Sequence, residues 1–160
     1  MQLTRIFIHG LESSGSGTKG SFFHQRYPGM IVEDYTGSFE QRMNQLQEIL
    51  DGKNNLIMVG SSFGGLMAAV YACLQPENVQ KLILLAPALH LDAYKPYHDK
   101  KLKIPTTIYH GLQDDVVPLQ TVKALSENIY LNLSFNTVQD DHVLHRTFPA
   151  LDWDALLKFR

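Results

Sequence analysis

The sequence predicts an α/β fold of three layers, α/β/α, built on a six-stranded, mostly parallel sheet. Six short apolar runs alternate with segments of helical character, an order typical of a parallel sheet with helices on both faces and right-handed crossovers. Hydrophobic residues make up 44% of the chain and charged residues 19%, a balance typical of globular proteins. With 160 residues the chain is long enough for one core, so we expect a single domain spanning residues 1–160.

The first half of the chain contains two strands and two helices. Ser38 is the expected N-cap of the second helix, and Gln41 three residues later completes a capping box. Apolar residues at positions 39, 43, 46 and 50 give this helix one buried stripe, and Gly52 ends it. The predicted elements are a strand at 3–8, a helix at 19–26, a strand at 30–35 and the helix that follows Ser38.

The second half continues the alternation. The apolar run 56–59 predicts a buried strand, and the long, alanine-bearing run 66–74 predicts a buried helix. Pro87 ends a further strand, and Pro118 is tolerated in the first turn of a helix. The remaining predicted elements are strands at 81–86, 106–110 and 133–138, a helix at 118–129 and a final helix near 152–159.

Residues 60–64 carry the most specific signal in the sequence. They read G-S-S-F-G and join a predicted strand to a predicted helix, the context in which G-x-S-x-G indicates a nucleophile elbow. Ser62 stands at the tip of this sharp turn, where the backbone is strained and small flanking residues avoid a clash. We therefore interpret Ser62 as a candidate nucleophile.

Two further residues complete the pattern that an activated serine requires. A serine hydroxyl needs a neighbouring base to take its proton, and a third group to orient that base. Asp114 and His142 each follow a predicted strand, in the chain order Ser, acid, His that accompanies a nucleophile elbow. All three would lie at the carboxyl edge of the sheet, where ligands bind in such folds. Asp115 remains an alternative for the acid and His145 for the base.

The other histidines are assigned no catalytic role, since such a triad needs one base. His9 and His110 each precede a glycine at a strand end, and we expect buried side chains that bond loop backbone. His24, His90 and His98 are predicted to lie on the surface.

Other classes of site find little support. No His, Cys, Asp or Glu spacing resembles a metal site, because the best cluster, 140–142, is consecutive and its side chains would diverge. The glycine-rich segment 10–20 lacks the Gly-Lys-Ser/Thr of a phosphate-binding loop, which argues against nucleotide binding. The single Cys73 excludes an intrachain disulfide and is expected in the core.

Four segments together resemble the α/β-hydrolase superfamily, and small lid-less bacterial esterases within it. They are 60–65, 111–118, 141–144 and 9–14, and in the second the family pattern G-x-x-D-x-V-x-P aligns its acid with Asp114. The resemblance implies that 9–14 is the oxyanion loop, and that the backbone N–H groups of Leu11 and Phe63 bind the developing oxyanion. Each such donor is typically worth about 3 kcal/mol in the transition state.

The resemblance also implies a function. We expect a serine hydrolase that cleaves small or short-acyl carboxylic esters through an acyl-enzyme, without a cofactor or a metal. An acyl thioesterase and a catalytically silent hydrolase-fold binding protein are the alternatives. The family's lid enters after the strand that ends near 86, and the segment 87–105 is too short for a lid domain. The chain is thus expected to be a minimal α/β-hydrolase core with an open, shallow pocket; this segment is long enough to cover part of the pocket, and the sequence leaves open whether it does.

The charge and the termini bear on partners and location. A net charge of −2 argues against partners held by bulk electrostatics, namely nucleic acid or an anionic membrane. No leader or membrane-spanning run is visible, so a cytoplasmic location is the expectation. The expected partner is a small-molecule ester or thioester substrate; the sequence makes no prediction of oligomeric state.

Overall fold

The computed structural model describes residues 2–159, which form six strands, six α-helices and two short 3₁₀ helices. The strands are β1 (Thr4–Ile8), β2 (Ile31–Val32), β3 (Leu56–Ser61), β4 (Val79–Leu85), β5 (Thr106–Gly111) and β6 (Leu133–Val138). The helices are α1 (Thr18–Arg26), α2 (Phe39–Ile49), α3 (Phe63–Leu74), α4 (Leu119–Ile129), α5 (Thr147–Ala150) and α6 (Trp153–Leu156), and the 3₁₀ helices are Pro76–Asn78 and Asp92–Tyr97.

The six strands form one sheet in the order β2-β1-β3-β4-β5-β6, and neighbouring strands pair in parallel. The predicted α/β class and six-stranded sheet are thereby confirmed. The chain moves outward from β1 to β2 and then returns to the other side of β1 with β3. Strand order reverses at this point, so the loops that follow β1 and β3 leave the sheet side by side. Ile8 of β1 is in register with Gly60 of β3, immediately before those loops.

The sheet is covered on both faces, which gives the three predicted layers. Alternate residues of β3 enter different cores, Met58 on one face and Val59 on the other. The first core includes buried residues of α2, α3 and α4. The second contains an aromatic group in which Phe23 of α1 lies 4.8 Å from Trp153 of α6, measured between ring centroids. The two central strands are thus buried on both faces.

The second helix begins as predicted. The Ser38 hydroxyl accepts a hydrogen bond from the Gln41 N–H, and the Gln41 side chain accepts one from the Ser38 N–H. This reciprocal pair satisfies two donors that the helix itself leaves without an acceptor.

Three predicted element boundaries were wrong. The strand expected at 30–35 is only Ile31–Val32, because the Tyr35 N–H donates to the His9 ring and not to a neighbouring strand. The helix near 152–159 is the four-residue α6, preceded by the separate short α5. The helix after the elbow begins at Phe63 and not at residue 66.

The segment between β4 and β5 packs on the protein and forms no lid within residues 2–159. Its 3₁₀ helix buries Tyr94, whose hydroxyl lies 2.9 Å from that of Tyr130. Leu102 in the same segment is also buried. These contacts place the segment against the region that follows α4 and leave the carboxyl edge of the sheet without a lid domain.

Candidate active site

Ser62 occupies a strained turn between β3 and α3. Its backbone has φ 55° and ψ −114°, outside the regions that residues other than glycine prefer, at a typical cost of about 1–3 kcal/mol. The turn is held because the Ser62 N–H donates to Leu85 and its carbonyl accepts from Leu66 and Ala88. A side chain at Gly64 would collide with the carbonyl of Ile8, so the turn packs directly on the end of β1. This is the geometry of a nucleophile elbow.

Ser62, His142 and Asp114 form one chain of hydrogen bonds. His142 Nε2 lies 3.1 Å from Ser62 Oγ, and His142 Nδ1 lies 2.8 Å from Asp114 Oδ2. Since an ionised carboxylate only accepts, the proton of the neutral imidazole must be on Nδ1. Nε2 is then free to accept the hydroxyl proton of Ser62. The arrangement can remove a proton from the serine while the carboxylate stabilises the resulting imidazolium.

Asp114 is held as an anion by its own loop. Its Oδ1 accepts from the N–H groups of Val116 and Val117, each at 2.8 Å. Burial on its own would raise the pKa of the Asp114 carboxyl, but these amides and His142 outweigh burial and lower the pKa below its ordinary value. The Asp114 carboxylate is therefore ionised at neutral pH.

The two sequence alternatives lie outside this chain. Asp115 is exposed, next to Asp114 in the loop. His145 is exposed as well, and its Nδ1 lies 2.6 Å from Asp141 Oδ2. Within residues 2–159, the contact to Ser62 Oγ is thus made by His142 and the contact to His142 by Asp114.

The loop after β1 lies beside the elbow. A Cβ at Gly10 would stand 3.4 Å from the Ser62 Cβ and 3.9 Å from the Phe63 nitrogen. Phe63 is the first residue of α3, so its N–H has no acceptor inside the helix. Leu11 follows Gly10, with 51% of its surface exposed.

His9 fixes the path of this loop. Its Nε2 accepts from the Tyr35 N–H at 2.9 Å, so the neutral ring carries its proton on Nδ1 and donates to the Gly10 carbonyl at 2.6 Å.

His110 likewise donates to a loop carbonyl, that of Val117. The prediction of buried histidines that bond loop backbone is confirmed for both. His24 is exposed as predicted, but His90 and His98 are half-buried and each buries one ring nitrogen, so the surface prediction was wrong for these two.

Two residues that hold the histidine loop were missed at the sequence level. Lys19 of α1 donates from Nζ to the carbonyl of Val143, which directly follows His142. The buried Asp140 accepts from the N–H groups of Asp141, Arg146 and Thr147. The signal for Asp140 was its position one residue before the loop, where an aspartate often bonds the following backbone. Lys19 gave no local signal, because its partner is 124 residues away.

Asp140 makes the stability of this loop dependent on pH. Burial on its own would raise the pKa of its carboxyl, but the backbone donors of Thr147, Asp141 and Arg146 outweigh burial and lower the pKa to about 2. A carboxyl with a lowered folded-state pKa stabilises the protein above its ordinary pKa, and this contribution is lost as the pH falls through the folded value.

We expect Asp140→Asn to lower the free energy of unfolding by about 1–2 kcal/mol at pH 7, since charged acceptors bind amides more strongly than neutral ones. The difference from the wild type should close between about pH 4 and pH 2, as the native carboxyl takes up its proton. Urea unfolding at several pH values measures it. A difference that stays constant down to pH 2 would contradict the role assigned to Asp140.

Residues 2–159 were also predicted to lack a metal site and a membrane-spanning run. No group of three or more His, Cys, Asp or Glu side chains in residues 2–159 has the arrangement of a metal site. Among the same residues, no helix is both long and apolar enough to cross a bilayer.

Comparison with known proteins identifies related sequences and folds. Residues 9–102 match the sequence model of a family described as alpha/beta hydrolase fold. A segment of 48 residues is 48% identical to a probable 1-acylglycerol-3-phosphate O-acyltransferase of Oryza sativa subsp. japonica. That segment is 29% of this chain and 12% of the rice protein, so it compares only a small part of the latter.

Solved structures of similar fold cover nearly the whole chain. Est1E from Butyrivibrio proteoclasticus aligns with a TM-score of 0.79 at 20% identity, over 98% of this chain and 86% of its own. Mouse alpha/beta hydrolase domain-containing protein 10 aligns with a TM-score of 0.74 at 22% identity, over 96% and 86%. A monoacylglycerol lipase from Paleococcus ferrophilus aligns with a TM-score of 0.76 at 16% identity, over 98% and 94%. At these identities the likeness concerns the fold.

Proposed function

Because this chain belongs to the α/β-hydrolase family, we propose that it is a serine hydrolase that cleaves carboxylic esters through an acyl-enzyme. The observation that carries the proposal is the hydrogen-bonded chain from Ser62 Oγ through His142 to the Asp114 carboxylate. It joins a strained serine to a buried carboxylate through an imidazole whose Nε2 can accept the serine proton, an arrangement suited to acyl transfer.

The first half of the reaction acylates the serine. His142 Nε2 takes the proton of Ser62 as Oγ forms a bond to the ester carbonyl carbon, and the carbonyl oxygen becomes negative. The N–H groups of Leu11 and Phe63 are assigned to this oxyanion, which would be more strongly bound than the neutral carbonyl. When the intermediate collapses, the bond to the alcohol oxygen breaks and His142 delivers its proton to that oxygen. Asp114 stabilises the imidazolium while it holds the proton.

The second half releases the acid. His142 removes a proton from water as the water oxygen attacks the acyl carbon. The bond between that carbon and Ser62 Oγ then breaks, and His142 returns the proton to Oγ. The net reaction consumes one ester and one water and yields an acid and an alcohol, so the chemistry needs no external oxidant or reductant.

The surroundings of Ser62 support small or short-acyl esters as the substrate class. Three exposed apolar side chains lie in the loops that carry the proposed machinery: Leu11 after β1, Val116 beside Asp114, and Val143 beside His142. They offer apolar contact to an acyl group, whereas residues 2–159 include no lid domain to enclose a long chain.

A fluorophosphonate probe tests the proposal directly. An activated serine displaces its fluoride, and the tetrahedral phosphorus adduct that results resembles the tetrahedral intermediate of acyl transfer. We expect intact mass to show one adduct per chain on the folded protein and none after denaturation, with peptide mapping placing it on Ser62. Hydrolysis of p-nitrophenyl acetate should disappear in step with labelling. A folded protein that takes up no probe would overturn the proposal and favour a catalytically silent binding protein.

A further inference from the structure

One buried titratable group near the proposed machinery takes no part in the reaction described above. His110 lies in β5, four residues before Asp114, and none of its side chain is exposed. Its ring stacks on that of Phe135 in β6, with centroids 6.4 Å apart and an angle of 20° between the rings. An apolar residue would fill this strand position without the cost of burying a polar ring, so the imidazole calls for an explanation.

The contacts of His110 fix its proton on one nitrogen. Nε2 lies 3.1 Å from the Val117 carbonyl, which only accepts, so Nε2 must carry hydrogen. Nδ1 is buried and has no hydrogen-bond partner within residues 2–159. A second proton on Nδ1 would therefore create a buried charge with an unsatisfied donor.

The charges that face the ring act in both directions. Burial lowers the pKa of His110 most strongly, and the nearby rings of His142 and His90 lower it further, while the Val117 carbonyl and the Asp114 carboxylate raise it. The balance is a lowered pKa, which keeps the imidazole neutral near pH 7.

The neutral N–H stands next to the proposed acid. Nε2 of His110 lies 3.3 Å from Asp114 Oδ2, the same oxygen to which His142 Nδ1 donates at 2.8 Å. Val117, whose carbonyl binds His110, donates its own N–H to Asp114 Oδ1. His110 thus holds the far end of the acid loop and lies against the carboxylate that the loop presents.

We propose that His110 is a positioning residue, whose neutral N–H anchors the acid loop at Val117 and sets how strongly the Asp114 carboxylate acts on His142. The inference rests on the proposed function, because it concerns the acid of that reaction. The sign of the effect follows from the dipole. The positive end of the N–H partly offsets the negative charge of Asp114, so its removal favours the protonated form of His142 and moves the rising limb of the pH profile to higher pH.

The test compares kcat and KM for p-nitrophenyl acetate across pH in the wild type and two variants. His110→Phe keeps a flat ring and removes the donor; we expect kcat to fall about 10-fold, KM to stay within about twofold, and the limb to rise by about half a pH unit. His110→Gln places an amide N–H near the former Nε2 and should recover most of both changes. His24→Gln replaces an exposed histidine and is the matched control, expected to leave the limb in place.

The position of the rising limb distinguishes an effect of His110 on the Asp114 carboxylate from a purely structural role of His110. A folded His110→Phe whose limb coincides with that of the wild type would overturn the inference, and so would a His110→Gln no closer to the wild type than His110→Phe. If His110→Phe does not fold, nitrogen-15 NMR of the wild type tests the inference instead, by reporting which ring nitrogens of His110 carry a proton. A neutral ring protonated on Nε2 at pH 7 is expected, and a charged ring or one protonated on Nδ1 would overturn the inference. Absence of any ester turnover in the wild type would instead refute the proposed function, and the NMR result would still stand.

Discussion

Replacement of Ser62 by alanine is expected to lower kcat for ester hydrolysis by about 10⁶-fold, the loss typical when the nucleophile of a serine triad is removed. Without Oγ no acyl-enzyme forms, and the base at 3.1 Å has no hydroxyl to deprotonate. The variant should fold normally, because alanine keeps the Cβ and the backbone hydrogen bonds that hold the turn do not involve Oγ. Steady-state assays with p-nitrophenyl acetate measure the change, beside thermal unfolding of both proteins.

Ser61→Ala is the matched control for this experiment. Ser61 is the neighbouring serine in the same motif, at the end of β3, and its hydroxyl has no role in the proposed reaction. Although Ser61 is half-buried, the substitution removes only a hydroxyl that the proposed reaction does not use, so we expect the control to keep kcat within a factor of about three. Equal activity in the wild type and Ser62→Ala would show that Ser62 is not the nucleophile. A large loss confined to Ser61→Ala would reassign that role.

The second large effect is expected for Asp114→Asn, which should lower kcat by about 10⁴-fold. The amide NH₂ would donate to His142 Nδ1 and so force the ring proton onto Nε2, which then cannot accept from Ser62. The substitution also removes the charge that stabilises the imidazolium. The same ester assay measures the loss.

Asp115→Asn gives the comparison that decides between the two adjacent aspartates. Asp115 is exposed, and the hydrogen bond to His142 is made by Asp114, so we expect Asp115→Asn to change kcat by less than about threefold. Similar losses in both variants, or a larger one in Asp115→Asn, would contradict the assignment of the acid.

The central strands of the sheet were predictable from the sequence because their burial on both faces leaves a clear apolar pattern in the chain. The strands β3 and β4 are enclosed on both faces, and parallel strands in that position read as continuous apolar runs. The edge strand β2 was overestimated because the chain beyond Val32 finds other partners. Gly15 donates to the Asp34 side chain, and Tyr35 donates to His9. Such long-range side-chain contacts leave no periodic signal.

The proposed site also has a part that the sequence predicts and a part that it does not. Ser62, Asp114 and His142 were found because a motif and a chain order single them out, and a parallel sheet brings its strand ends to one edge. The groups around these three residues carry no motif and no chain order. Lys19 binds a carbonyl 124 residues away, and the role inferred for His110 depends on an interatomic distance of 3.3 Å. The spacing of residues in the sequence predicts neither the contact of Lys19 nor the distance of His110.

The loop that carries His142 is held by fewer contacts than the turn that carries Ser62, so less structure has to be disrupted to displace the loop. Ser62 sits between buried elements, so the amides around it should exchange hydrogen only when the whole domain unfolds. The histidine loop is held by the Asp140 carboxylate, by Lys19 and by one buried side chain, that of Leu144, while half of its residues from 141 to 146 are exposed. Its amides should therefore exchange through local opening, at a lower free energy. Loss of activity on mild heating would then precede loss of secondary structure and reverse on cooling, because the base can leave its place while the nucleophile stays folded.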